Sequence, residues 1–338
     1  MQPLLTAARV LVESHLNGGE HRTLADDVLD GLTRPFKELP PKHFYDARGA
    51  DLFDQICDLP EYYPTRAERA ILEQRSAEIV EITGAAELVE LGSGTAAKTR
   101  LLLAAMADAG TLRRYVPIDV TESMVRACAE ELVAEFDGLH VHGIVGDFER
   151  HLGHVPPPIR AHPPHPPQPR IVAFLGGTLG NFLPGSRRRF LRTLSGLLGP
   201  DDHLLIGTDL VKDAAVLEAA YDDSAGVTAE FNRNVLHVVN RELGADFVPD
   251  AFEHVAFFDR DREWIEMRLR AIRPQRVCVG ALGLQLTFAA GEEMRTEISA
   301  KFTRERIAAD LAAAGMLLTH QLTDPDGLFA LNLARVRR

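Results

Sequence analysis

Cysteine is scarce in this 338-residue chain: Cys57, Cys128 and Cys278 are odd in number and far apart. That excludes a disulfide framework and offers no zinc-finger spacing. The expectation is free thiols in a reducing compartment, with no metal. Positive charge is not in excess either. The formal net charge is −12, and a surface that tracks phosphates needs clustered Lys and Arg, so nucleic acid is not expected as a partner. No run approaches the ~18 apolar residues of a membrane span. The N-terminus has no basic segment leading into an apolar one, so no signal peptide is read. The chain is expected to be cytoplasmic, monomeric and without a membrane partner.

What is present is an ordinary globular composition, 46% hydrophobic and 25% charged. The length exceeds the roughly 250–300 residues at which one core stops growing, so one large domain with an insertion, or two domains, is expected. Residues 1–35 show helical spacing (Leu4, Leu5, Val10, Leu11, then Leu24, Val28, Leu29, Leu32). Residues 37–66 are rich in aromatics and Pro, with a short helix at 49–59 between the breakers Pro40–Pro41 and Pro64. From residue 67 strands and helices alternate. Strands are predicted at 87–91, 114–118, 141–145, 170–175 and 202–207, with helices between them. Repeated βα units imply an open parallel sheet covered on both faces. Eight prolines between 156 and 170 allow neither helix nor central strand there, and a surface connection is expected. Its histidines, with His154 upstream, have no scaffold for a metal.

After Asp213 the alternation stops. Helices at 215–221 and 228–242 precede strands at 254–259, 264–272, 285–288 and 296–302. A helix at 304–314, capped by Gly315, and a closing hairpin at 317–322 and 329–336 restore the first pattern. The architecture resembles a Rossmann-like class I methyltransferase sheet with a terminal antiparallel hairpin. To this α/β sheet is added an α+β substrate-binding domain. The expected division is residues 1–66 and 214–300 for the substrate unit, and 67–213 with 301–338 for the cofactor unit.

The loop Glu90-Leu91-Gly92-Ser93-Gly94-Thr95 follows the first βα strand. Its glycines permit a sharp turn and a close ligand approach. A dinucleotide loop of the G-x-G-x-x-G type would carry a third glycine, but position 97 is Ala. An acid, Glu90, precedes the loop, which suits the sulfonium and amino-acid tail of S-adenosylmethionine better than a pyrophosphate. Asp119 closes the next strand, where it can accept from ribose hydroxyls. Asp147 and Phe148 close the one after, placed for an adenine amino group and ring. All lie at C-terminal strand ends, where open α/β sheets bind ligands.

Longer segments narrow the resemblance. EYYPTR, LVELGSGTAAKTR, GGTLGN, YDDSAGVTAEFNRNVL and AAGEEMRTEIS are similar to those of the histidine-specific Nα-methyltransferases of ergothioneine biosynthesis, across roughly residues 25–336. The resemblance implies trimethylation of the α-amino group of L-histidine to hercynine, with S-adenosylmethionine as cofactor. It implies that Gly92, Lys98, Asp119, Asp147 and Phe148 contact the cofactor. Tyr62, Asn181 and Tyr221 would hold the amino acid's amine and carboxylate. Glu297 and Ser299 would read the imidazole, with Met267 packed nearby and Tyr45 approaching the ring from the other side. Glu297 and Ser299 lie two apart in a predicted strand and share a face. No dedicated base is assigned, because desolvation alone favours the neutral amine. Another free amino acid, tryptophan-like, is the alternative substrate. A binding module that has lost catalysis is the other class of reading, and the intact acids and Asn181 speak against it.

Overall fold

The computed structural model describes residues 9–16, 23–159 and 168–337. In chain order the elements are β1 (Val10–Ser14), α1 (Leu24–Leu32), β2 (Lys37–Glu38), α2 (Ala47–Asp58), α3 (Pro64–Thr83), β3 (Glu87–Leu91), α4 (Thr99–Asp108), β4 (Arg114–Asp119), α5 (Glu122–Glu135) and β5 (His140–Val145). Then come β6 (Arg170–Phe174), α6 (Pro184–Leu197), β7 (His203–Asp209), α7 (Ala214–Ala219), α8 (Val227–Leu243), β8 (Phe252–Asp259) and β9 (Trp264–Ala271). The last are β10 (Gln275–Val279), β11 (Leu284–Phe288), β12 (Glu293–Ala300), α9 (Arg304–Ala313), β13 (Met316–Thr323) and β14 (Phe329–Val336).

Among the described residues the large sheet has eight strands, in the order β1-β5-β4-β3-β6-β7-β14-β13. Those from β1 to β7 run parallel, and β14 and β13 close the sheet antiparallel. β3 and β6 are buried at every position, as expected of strands covered on both faces. From β3 the chain winds outward through β4 to β5, then returns to the other side of β3 for β6 and β7. The strand order reverses between β3 and β6, which opens a crevice at the C-terminal strand ends.

A second sheet, β2-β12-β9-β8, and the hairpin β10-β11 form the smaller unit. Its core gathers Leu24, Val28, Leu32, Leu39, Phe44 and Ile56 with residues from Leu217 to Met294. Segments nearly 200 residues apart in sequence thus bury one another. Caps set the ends of the early helices. Thr23 and Asp26 form a reciprocal capping box on α1, and Asp46 accepts from Gly49 N–H to start α2. The strand β10 was not expected; it pairs with β11 in register from Gln275↔Phe288 to Val279↔Leu284.

One expectation is corrected at the N-terminus. Val10–Ser14 is a strand, not a helix, and it pairs in parallel with β5 from Val10↔Val141 to Ser14↔Val145. It therefore belongs to the large sheet, not with the rest of residues 1–66. A short Val-Leu-Val run beside an open sheet edge favours β structure, whatever helical spacing it completes with distant leucines. Leu4 and Leu5 lie outside the described residues, as do His162 and His165 of the Pro-rich connection. His154 stacks on His15 with ring centroids 3.7 Å apart.

The two units are joined at the site-bearing edge. Beyond β12, Phe302 N–H donates to Asp209 O (2.8 Å) and Val211 N–H donates to Phe302 O (3.0 Å). The end of β12 is thereby sewn to the end of β7.

Candidate functional site

The glycine loop makes its turn with φ +70° at Gly92 and +50° at Gly94, a region that side chains disfavour. Ala96 also sits at φ +54°. Gly92 and Ser93 N–H both donate to Ile118 O of β4. Asp119 fixes the loop from the neighbouring strand: one carboxylate oxygen accepts from Gly94 N–H (3.0 Å), the other from Thr121 N–H (3.0 Å). A carboxylate has about four acceptor positions, so two remain for hydroxyls of a ligand. A Cβ on Gly92 would lie 3.7 Å from the Phe148 ring, and that ring packs on Phe174 and Phe190. Asp147 stands beside it, half-buried, turned by bonds from Glu149 N–H to its carboxylate and from its own N–H to His151 Nδ1. Gly92, Asp119, Asp147 and Phe148 thus form a shallow cradle with an aromatic floor and two carboxylates.

Beneath the cradle, Glu90 is buried between Thr99 and Tyr115, whose hydroxyls both donate to it. Burial pushes its carboxyl up to about 7, against those two bonds. Lys98 does not stand free at the helix start. It is paired with Glu68 of α3, which is fully buried. Glu68 also accepts from Gly176 N–H (2.8 Å) in the loop after β6, and a Cβ at Gly207 would come within 2.2 Å of its Oε1. One buried carboxylate therefore ties the loop after β6 to the start of α4 and packs against Gly207 of β7.

The loop after β6 holds Gly176, Gly177 and a 3-10 turn, Thr178–Asn181. Gly180 lies hard against β12: a Cβ there would meet Ala300 O at 2.8 Å and Ala300 N at 3.1 Å. Only glycine permits that approach; a Cβ at Gly180 would also lie 3.5 Å from Ser299 Oγ, and half-buried Asn181 is the next residue. On β12, Glu297 pairs with Met267 of β9 and Ser299 with Ile265. Met267 is buried in the core of the smaller unit. Tyr62, in the turn before α3, stacks edge-on with Tyr221 at 6.3 Å. Tyr45 packs on Phe53 and Phe231 and leaves half its surface exposed. Desolvation first, with the charge of Glu297 among the further causes, raises the phenols of Tyr62 and Tyr221. Tyr62, Tyr221 and Glu297, from three separate stretches of sequence, thus lie close to one another.

Burial pushes the Glu297 carboxyl up to about 7; the charge of Lys301 opposes that, and no hydrogen bond relieves it among the described residues. Tyr221, expected to meet the amino acid's backbone groups, directs its hydroxyl to Ser299 Oγ (2.8 Å). Behind this pair lies a cluster missed in the sequence. Lys301 is fully buried, and Asp209, Lys212 and Tyr63 join it: Tyr63 Oη donates to Asp209 (2.9 Å), and Lys212 Nζ to Tyr63 Oη (2.8 Å). Two signals were available. Lys301 continues the every-second-residue series of Glu297 and Ser299, and Asp209 ends an apolar strand as Asp119 does. Glu68 gave none, because a Glu in a helix reads as a solvated charge.

Comparison with known proteins adds the following. A family model described as histidine-specific methyltransferase, SAM-dependent, matches residues 24–336. The chain is 57% identical over 311 residues to the histidine N-alpha-methyltransferase of Mycolicibacterium smegmatis, covering 92% of this chain and 94% of that one. It is 53% identical over 327 residues to the histidine N-alpha-methyltransferase of Mycobacterium tuberculosis, covering 96% and 99% respectively. It is also 33% identical over 210 residues to ergothioneine biosynthesis protein 1 of Neurospora crassa, covering 62% of this chain and 23% of that one.

Proposed function

The chain belongs to the histidine-specific, S-adenosylmethionine-dependent methyltransferase family, and from that premise we propose that it methylates the α-amino group of L-histidine three times, yielding hercynine for ergothioneine biosynthesis. What supports this reading most is the joining of two elements at the end of the large sheet: Gly92, Asp119, Asp147 and Phe148 follow or close β3, β4 and β5, while Glu297 and Ser299 lie two apart on β12, whose end is hydrogen-bonded to the end of β7.

The cradle fits the cofactor. Asp119 keeps acceptor positions for ribose hydroxyls, Asp147 for an adenine amino group, and Phe148 offers a ring face. Bound there, S-adenosylmethionine supplies an electrophilic methyl group on sulfonium. Lys98 then acts through Glu68, holding the loops that shape the cradle. The smaller unit, built from residues of α1 and α2 with the stretch from α7 to β12, presents the amino acid. Glu297 accepts the imidazole N–H and Ser299 bonds the other ring nitrogen. Tyr62 and Asn181 steer the amine. They are neutral groups, and they tolerate an amine that grows to a quaternary ammonium where a carboxylate clamp would hold the first ammonium too tightly. A low-dielectric site disfavours that ammonium, so the nucleophilic lone pair needs no strong base, and alignment at near-attack distance supplies the rest.

Purified protein with S-adenosylmethionine and each amino acid in turn, read by mass spectrometry, tests this. Trimethylated product from histidine alone is expected. Absence of any methylated histidine overturns the reading, and product from tryptophan instead would transfer it to the alternative substrate.

A further inference from the structure

We propose that Lys301 is a positioning residue that makes Ser299 an obligatory hydrogen-bond donor, so that the site selects a ring presenting an acceptor nitrogen to Ser299 and an N–H to Glu297. This rests on the reading of L-histidine as substrate and deepens it.

The geometry leaves little freedom. Lys301 is buried, and its ammonium has three protons. They go to Asp209 Oδ2 (2.8 Å), Ser299 Oγ (2.9 Å) and Tyr221 Oη (3.0 Å). Asp209 keeps this arrangement charged: burial would push its carboxyl up, but Lys301 and Lys212 override that and hold it below the usual range. Tyr221 Oη accepts from Lys301 and donates its single proton to Ser299 Oγ at 2.8 Å. A serine hydroxyl has two lone pairs and one proton. Lys301 and Tyr221 fill both lone pairs. The proton of Ser299 must leave in a direction that neither donor occupies, and only an acceptor can satisfy it there. Glu297, two residues earlier on the same face, is acceptor-only when ionised. The two residues therefore carry opposite polarity. A neutral imidazole in one tautomer matches it; an indole N–H matches one half only.

Two isosteric probes separate the halves. β-(Pyrrol-2-yl)alanine and β-(pyrrol-3-yl)alanine each keep one ring N–H and replace the other ring nitrogen by C–H. One isomer gives its N–H to Glu297; the other aims it at a serine oxygen with no free lone pair. Wild-type protein should prefer one isomer over the other in kcat/KM by about tenfold or more, the scale of one buried unpaired donor. Lys301→Met and Tyr221→Phe each free a lone pair on Ser299, and each should narrow that ratio by roughly fivefold or more. Affinity for S-adenosylmethionine, measured by calorimetry, should stay unchanged. In a Ser299→Ala background neither change should move the ratio further. Tyr221→Phe keeps the Lys301–Asp209 pair and so serves if Lys301→Met fails to fold. Equal use of the two isomers by wild-type protein, or a wild-type ratio retained in a cofactor-binding Tyr221→Phe protein, overturns the proposal. Failure of the wild-type protein to methylate histidine would instead overturn the functional reading beneath it.

Discussion

Replacing Glu297 by Gln should stabilise the free protein while harming its use of histidine. Glu297 is half-buried on β12 without a hydrogen bond among the described residues, and burial pushes its carboxyl from the ordinary 4.5 to about 7. At high pH that gap of 2.5 corresponds to about 3 kcal/mol against the charged form, at about 1.36 kcal/mol for each factor of ten. The side chain is not fully enclosed, so solvent reduces this, and a gain of about 1–2 kcal/mol at pH 8 is expected. The sign follows from the direction of the change. The folded value lies above the unfolded one, so this group's favourable contribution is complete below about 4.5 and is lost as pH rises through about 7. Urea denaturation of wild-type and Glu297→Gln protein at pH 5 and pH 8 should show a stability gain that is small at pH 5 and larger at pH 8. Histidine, in contrast, loses a charge-assisted bond to its N–H, about 1.5–3 kcal/mol, which raises KM roughly 10- to 150-fold. Cofactor affinity should change little. A variant that is destabilised equally at both pH values, or that keeps the wild-type KM for histidine, would refute the reasoning.

Asp119→Ala removes the acceptor for Gly94 and Thr121 N–H; calorimetry should show cofactor binding weakened by at least about tenfold, with histidine specificity unchanged among the turnovers that remain. Gly180→Ala forces a Cβ to 2.8 Å from Ala300 O, so the loop must lift from β12. A stability loss of about 1–3 kcal/mol in urea denaturation and a rise in KM for histidine are expected, with cofactor affinity largely kept. Lys98→Met leaves Glu68 buried without its cation, and denaturation should show a loss of about 3–5 kcal/mol. If that variant is as stable as wild type, Lys98 is not the partner that keeps Glu68 in place.

Much of this was legible in the sequence. β3, α5 and β14 fall where periodicity and breakers put them, because alternating βα units leave local marks: apolar runs, glycine after the strand, caps before the helix. The acids Asp119 and Asp147 were legible for the same reason, each being a charge that ends an apolar strand. The N-terminal strand β1 was not. Five residues fit either period, and only the open edge of β5 decides between them. The strand β10 likewise depends on its partner, β11.

The sequence by itself determined the parallel βα sheet with its closing hairpin and the family, since these follow from local pattern and from long shared segments. It also named Glu297 and Ser299, but not what they can do. Tertiary structure decided that. It brought Tyr62 and Tyr221 together across 159 residues of chain, buried Glu68 under two strand ends, and surrounded Ser299 with Lys301 and Tyr221. A hydroxyl can donate or accept, and a carboxyl can be charged or neutral; neighbours far away in sequence fix which, through burial and through the lone pairs they occupy.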